Sequence, residues 1–240
     1  MERDHILFKL TLNLHIDIDG AGCLTLPTLR LLAAWGEKRY NEALSALLFD
    51  KEQYESFRTF TEDNYGMMCL LYAQDERYRS ALEDAIQMLL GSRLQLQRRG
   101  AVPCFALVAG EEERTLSAEK LELIRYIVRI AHQLEERPSD YNPANAAARS
   151  MIELLSRNKR SRPARKPTTD LQSMISGVAW KSGSMNLLHI GELTLYQLYD
   201  GYRRLHCIDS SHHTYTGIYA GTIDSKAIKL SELNWAAIID

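Results

Sequence analysis

His206, Cys207, His212 and His213 are the residues of this chain whose types and closeness could hold a metal ion. A tetrahedral site draws three or four His, Cys or carboxylate ligands to one point, usually from two spaced pairs. Here a single Cys stands beside three His with no second pair, so the spacing favours turn and core residues over a metal centre. Asp17 and Asp19 alternate along one stretch and have no further acidic neighbours close by, which suits the wet side of a strand better than a cation site. The chain has no G-x-S-x-G elbow, no phosphate-cradling glycine loop and no H-E-x-x-H pair. Glu111, Glu112 and Glu113 follow Gly110 as a charge run, the pattern of a solvated turn. The expectation is a protein that is not an enzyme, with no catalytic residue, no cofactor and no metal.

A second chemical candidate is the basic stretch RNKRSRPARKPTT, which carries Arg157, Lys159, Arg160, Arg162, Arg165 and Lys166. It contains Pro163 and Pro167 and no large apolar residue, so it reads as a solvated linker. Nucleic-acid contact would use such cations to release counterions, with aromatics to stack on single strands, and none is interleaved here. The whole chain has a formal net charge of -2, which argues against a surface devoted to nucleic acid. A tether is therefore the favoured reading, and a nucleic-acid-binding regulator using the linker as a basic arm ranks last. Cys23, Cys69, Cys104 and Cys207 lie far apart, and free thiols in a reducing cytoplasm are expected over disulfides. No leader is visible at MERDHILFK, and no run approaches the roughly 20 apolar residues of a membrane span.

The elements that must position these groups follow from periodicity. Ile6, Phe8, Leu10, Leu12, Leu14, Ile16 and Ile18 occupy alternate positions, which predicts a strand. Asp19 to Gly22 would turn it into a hairpin with Cys23 to Leu26. Helices are predicted from Pro27 to about Leu48, from Asp50 through Phe60, and from Asp75 to a cap at Gly91. The run MMCLLYA between them is apolar and of either type. A second hairpin is expected about Arg98-Arg99-Gly100, a helix from Ser117 to Glu136, and another opening at Asn142-Pro143. Beyond the linker, Asp170 caps a helix, Leu193 to Cys207 forms the strongest helix, residues 209–226 read as loop with turns at Gly217 and Gly221, and a short last helix buries Leu233, Trp235 and Ile238.

The expected fold is α+β and predominantly α-helical: an N-terminal β-hairpin packed on a helical body (1–156), a basic Pro-containing linker (157–169), and a small C-terminal Tyr/Gly-rich helical module (170–240). Helical spacing assigns Tyr199 and Tyr202 to a core. It leaves Tyr196, Tyr215 and Tyr219, with His15 and Asp17 on the wet side of the hairpin, as candidates for a protein interface.

Several segments together carry a resemblance: LTLPTLRLLAAWG, DYNPANAAARSMIELL, LTLYQLYDGYRRL and YAGTIDSKAIKLSELNW. Their order and spacing resemble a family of uncharacterised late structural and tail-morphogenesis proteins of phages and prophages of Gram-positive bacteria. The resemblance implies a tail assembly chaperone-like factor that binds tape-measure and tail-tube proteins in the bacterial host cytoplasm, with a homo-oligomer possible. The alternative it implies is a structural virion component at the tail, connector or baseplate. Neither role carries chemistry, so no residue is assigned as catalytic.

Overall fold

The computed structural model describes residues 2–134 and 169–238, apart from positions 55, 58, 101, 225, 227 and 230–232. The basic stretch from Arg157 to Lys166 and the helix expected from Asn142 lie outside the described residues. Among the described residues, with 57% in helix and two small sheets, the fold is α+β and mostly helical.

The N-terminus departs from the predicted strand. Residues Arg3–Thr11 form helix α1, and only Ile16–Ile18 of the alternating run is strand, β1. Ile6 and Leu10, four residues apart and so on one helical face, are buried, whereas Phe8, Leu12 and Leu14 are exposed. Alternate spacing contains this i, i+4 pair, and the helix uses it. Asn13, at positive φ, ends α1 as the Leu14 N–H reaches the Lys9 carbonyl at 2.9 Å. The hairpin then forms as expected: β1 pairs antiparallel with β2 (Gly22–Leu24), and Ile16, Ile18 and Leu24 turn into the core.

Thr28 caps α2 (Leu29–Trp35), with Gly36 at φ 91 breaking the predicted single helix before α3 (Glu37–Leu47). Leu29, Leu32, Tyr40, Leu44 and Leu47 are nevertheless all buried. Asp50 caps only a short 3-10 turn, and the predicted helix through Phe60 does not form. Its rings instead cluster edge-on and stacked, Phe49 with Tyr54, Phe57 and Tyr78. The ambiguous apolar run is helix α4 (Asn64–Gln74), capped by Asp63. Helix α5 (Glu76–Leu90) runs from its Asp75 cap to left-handed Gly91.

The second hairpin forms about Gly100 as β3 (Arg93–Arg99) and β4 (Val102–Ala109). A further strand, β5 (Glu112–Leu116), extends it to order β3-β4-β5, so the Glu run read as a solvated turn is in part an edge strand. Tyr65 of α4 is inserted at the end of this ladder: its hydroxyl accepts from the Phe105 N–H at 2.9 Å and donates to the Leu116 carbonyl at 2.7 Å. Ser117 caps α6 (Ala118–Ala131), which stops short of the predicted Glu136 and leaves Leu134 exposed.

Past the undescribed segment, Asp170 caps α7 (Leu171–Lys181), and Thr194 opens α8 (Leu195–Tyr219). The predicted loop after Cys207 is therefore three more turns of helix, with Gly217 inside it. Val178, Ala179, Ile190, Leu195 and Leu198 join the same core cluster as Ile6, Leu47, Leu89 and Ile127. The described residues on both sides of the linker thus bury one continuous apolar interior. Leu233 is covered, but Trp235 and Ile238, expected to be buried in a last helix, are exposed at 53% and 91%.

Candidate interaction site

Helix α8 carries three of the interface candidates, Tyr196, Tyr215 and Tyr219. Its start is fixed by reciprocal hydrogen bonds: the Thr194 hydroxyl accepts from the Gln197 N–H at 3.3 Å, and the Gln197 carboxamide oxygen accepts from the Thr194 N–H at 3.0 Å. The same Gln197 side chain donates to the Thr11 carbonyl at 2.9 Å, tying α8 to the end of α1. Leu29 N–H donates to the Leu193 carbonyl at 2.7 Å, and Thr28 bridges Thr194, so the caps of α2 and α8 lie side by side. Arg30 adds an ion pair to Glu192 at 2.8 Å.

From this anchored start α8 runs for 25 residues, roughly 37 Å at 1.5 Å per residue. Leu195 and Leu198 are buried. Farther out, Ile208, Tyr215 and Tyr219 are exposed, Tyr219 at 86%, and the rings of Tyr215 and Tyr219 stack at a centroid distance of 6.5 Å. Among the described residues, the outer turns are held on two flanks, and the chain beyond Tyr219 folds back so that the Thr222 and Ile223 N–H groups donate to the Gly217 carbonyl at 2.9 and 3.1 Å. Lys181 of α7 pairs with Asp209, and the Ser211 hydroxyl donates to the Leu233 carbonyl at 2.7 Å. At 100° per residue, Ile208, His212, Tyr215 and Tyr219 form a stripe with the 4-3-4 spacing of a helix-packing seam, lying between those two sides.

A cleft of about 720 Å³ opens where α1, α6 and α8 meet, its lining completed by residues 236–238. Tyr196 of α8 and Tyr126 of α6 line it, both half-buried. So do four arginines, Arg3, Arg129, Arg203 and Arg204. Arg204 donates to the carbonyls of Trp235 and Ala237 at 2.7 and 2.8 Å and so holds the C-terminal segment against α8. Arg129 pairs with Glu122 at 2.9 Å.

The interface candidates are therefore placed in different surroundings. Tyr196 sits in the cleft, while Tyr215 and Tyr219 crown the outer end of α8. His15 and Asp17 are exposed on the β1 side, where the Cys23 thiol approaches Asp17 at 3.9 Å. Tyr199 packs against the core as expected, but Tyr202, also expected inside, is 41% exposed. Nothing in the sequence pointed to the cleft arginines, because they come from three elements far apart in the chain.

His206, His212 and His213 are exposed on α8, and among the described residues no three His, Cys, Asp or Glu side chains converge as metal ligands. The described cysteines are free, and burial pushes the Cys69 thiol up to about 12, which keeps it protonated. His132 donates Nδ1–H to the Val128 carbonyl at 2.7 Å and accepts the Tyr40 hydroxyl at Nε2, 2.6 Å away. Burial lowers its pKa, so the neutral ring is the form that fits. Arg125 is buried, and burial lowers its pKa too; its guanidinium donates to Glu122 and, at 2.5 Å, to the Phe49 carbonyl.

Residues 160–240 are similar to the YomV second domain. That family is phage-associated, and the match supports a phage origin. It takes in α7, α8 and the C-terminal segment, hence Tyr196, Tyr215 and Tyr219, and leaves out α1, α6, His15 and Asp17. No curated protein and no solved structure matches the chain. No helix of the described residues is long and apolar enough to cross a membrane.

Proposed function

We propose that this protein is a non-enzymatic assembly factor of a phage or prophage, acting in tail morphogenesis by binding tape-measure or tail-tube protein. The observation that carries the reading is the outer half of α8. Within the segment similar to a phage-associated domain, it leaves Ile208, Tyr215 and Tyr219 exposed at helix-packing spacing. A stripe of this kind is suited to a protein partner, because aromatic side chains supply large contact area at small entropic cost. The resemblance of the wider chain to tail-morphogenesis proteins supports the finer assignment.

The test is co-purification of the tagged full chain with the tape-measure and tube proteins of its own gene cluster, co-expressed in the host. Stable capture of either, lost in a Tyr215→Ala/Tyr219→Ala variant that keeps its unfolding temperature, is the expected result. Failure to capture either protein, with the chain found instead at fixed stoichiometry in purified particles, would replace the assembly factor by a structural virion component.

A further inference from the structure

We propose that the cleft between α1, α6 and α8 binds an acidic, partly apolar peptide segment of the partner. The inference rests on the protein-binding reading above and names the chemistry its second contact surface would recognise.

Among the described residues, four guanidinium groups line the cleft against a single carboxylate, Asp200. Two of the four are already committed. Arg204 is held by backbone carbonyls and lies 3.8 Å from Asp200, and Arg129 pairs with Glu122. Arg3 and Arg203 are exposed and make no ion pair among the described residues. A guanidinium presents a planar fork that matches a carboxylate bidentately, and committed neighbours keep the positive field in place without filling that demand.

The floor decides between classes of anion. Leu7 and Ile130 are half-buried there, and Leu134 is exposed at 47% beside them. A sugar–phosphate backbone offers nothing to such a floor, whereas a peptide alternating acidic and apolar side chains satisfies rim and floor together. Nucleic acid also calls for a broad basic excess, which a chain of net charge -2 does not supply. The cleft volume falls within the roughly 300–1,000 Å³ of ligand-sized pockets.

Because α1 and α6 belong to the body and α8 to the segment similar to the YomV second domain, the site exists only where the two are packed together. A ligand held there contacts both.

Fluorescence anisotropy with the full chain tests this, using a labelled nine-residue peptide of three Glu-Glu-Leu repeats, its Gln-Gln-Leu counterpart, and labelled oligothymidylate. The acidic peptide should bind, and the Gln peptide should bind about tenfold or more weakly, as expected when charge-assisted pairs are lost. Arg3→Ala/Arg203→Ala should reduce acidic-peptide binding by a similar factor, with unfolding temperature unchanged because both side chains are exposed. No binding of the acidic peptide, equal binding of the Gln peptide, an unaffected double variant, or tighter binding of oligothymidylate would each overturn the proposal. Capture of tail proteins without peptide binding would remove this site alone. Peptide binding without capture would remove the tail assignment and keep the site.

Discussion

The two halves of α8 share one helical backbone and differ in almost everything that gives a helix its stability. The inner half, from Leu195 to Leu205, buries Leu195 and Leu198 and is stapled to α1 and α2 through Gln197 and Thr194. The outer half buries only Ser211 and shows Ile208, Tyr215 and Tyr219 to solvent. The outer half is held by the Lys181–Asp209 pair and by the Ser211 hydroxyl on the Leu233 carbonyl, while its threonines bond back along the helix. Thr214 donates to the Ser210 carbonyl and Thr216 to the His212 carbonyl, both at 2.8 Å. The difference teaches that this helix is anchored at one end and presented at the other.

The sharpest way to break that contrast is to empty the anchored half. Leu198→Ala removes a side chain with no exposure and should cost about 2–5 kcal/mol, read as a lower denaturation midpoint in urea. A substitution of comparable size outside, Ile208→Ala, should stay within about 0.5 kcal/mol of the parent. Equal effects at the two positions would erase the distinction.

Acid should act beneath the anchored half as well. His132, whose folded pKa lies below its unfolded value, shares a recess with Tyr40, Leu195 and Tyr199. The unfolded chain therefore binds the extra proton first. The stability this residue contributes is present above about pH 6.5 and is lost as pH falls from there toward the folded pKa, by at most about 1.4 kcal/mol per pH unit. Unfolding curves between pH 7.5 and 5 should show the slope, and His132→Gln should flatten it.

Thr194→Ala removes the cap hydroxyl at the anchored end and should cost about 1 kcal/mol. Tyr219→Ala at the presented end should leave the unfolding temperature unchanged while weakening partner capture, the smallest effect on stability and the most informative one on function.

What the sequence made legible was local. Ser117 and Asp170 cap their helices, Gly91 ends α5, and Gly100 turns the β3–β4 hairpin, because each signal depends only on its immediate neighbours. The misreadings share a different cause. The alternation from Ile6 to Ile18 fits a strand, yet tertiary packing selected the i, i+4 pair Ile6 and Leu10 and left Phe8 and Leu12 outside. The acidic start of β5 hid a strand because an exposed edge carries charges that a buried strand would exclude. The Ser-, His- and Thr-rich outer half of α8 has modest helix propensity, and the tertiary contacts at Asp209 and Ser211 that hold it are invisible to a periodicity argument. The cleft was least legible of all. Arg3, Arg129 and Arg203 meet only because three helices pack, and no spacing along the chain foretells that.

Tyr65 has a further consequence, for the order in which the sheet opens. Its hydroxyl occupies the point where β4 and β5 meet at Phe105 and Leu116, and burial raises its pKa to about 12, so it stays a donor throughout the neutral range. The end of an exposed edge strand is thereby latched to α4, on another layer of the molecule. In native-state hydrogen exchange, the Phe105 amide should open together with α4 and not with the fraying of β5, and Tyr65→Phe should uncouple the two.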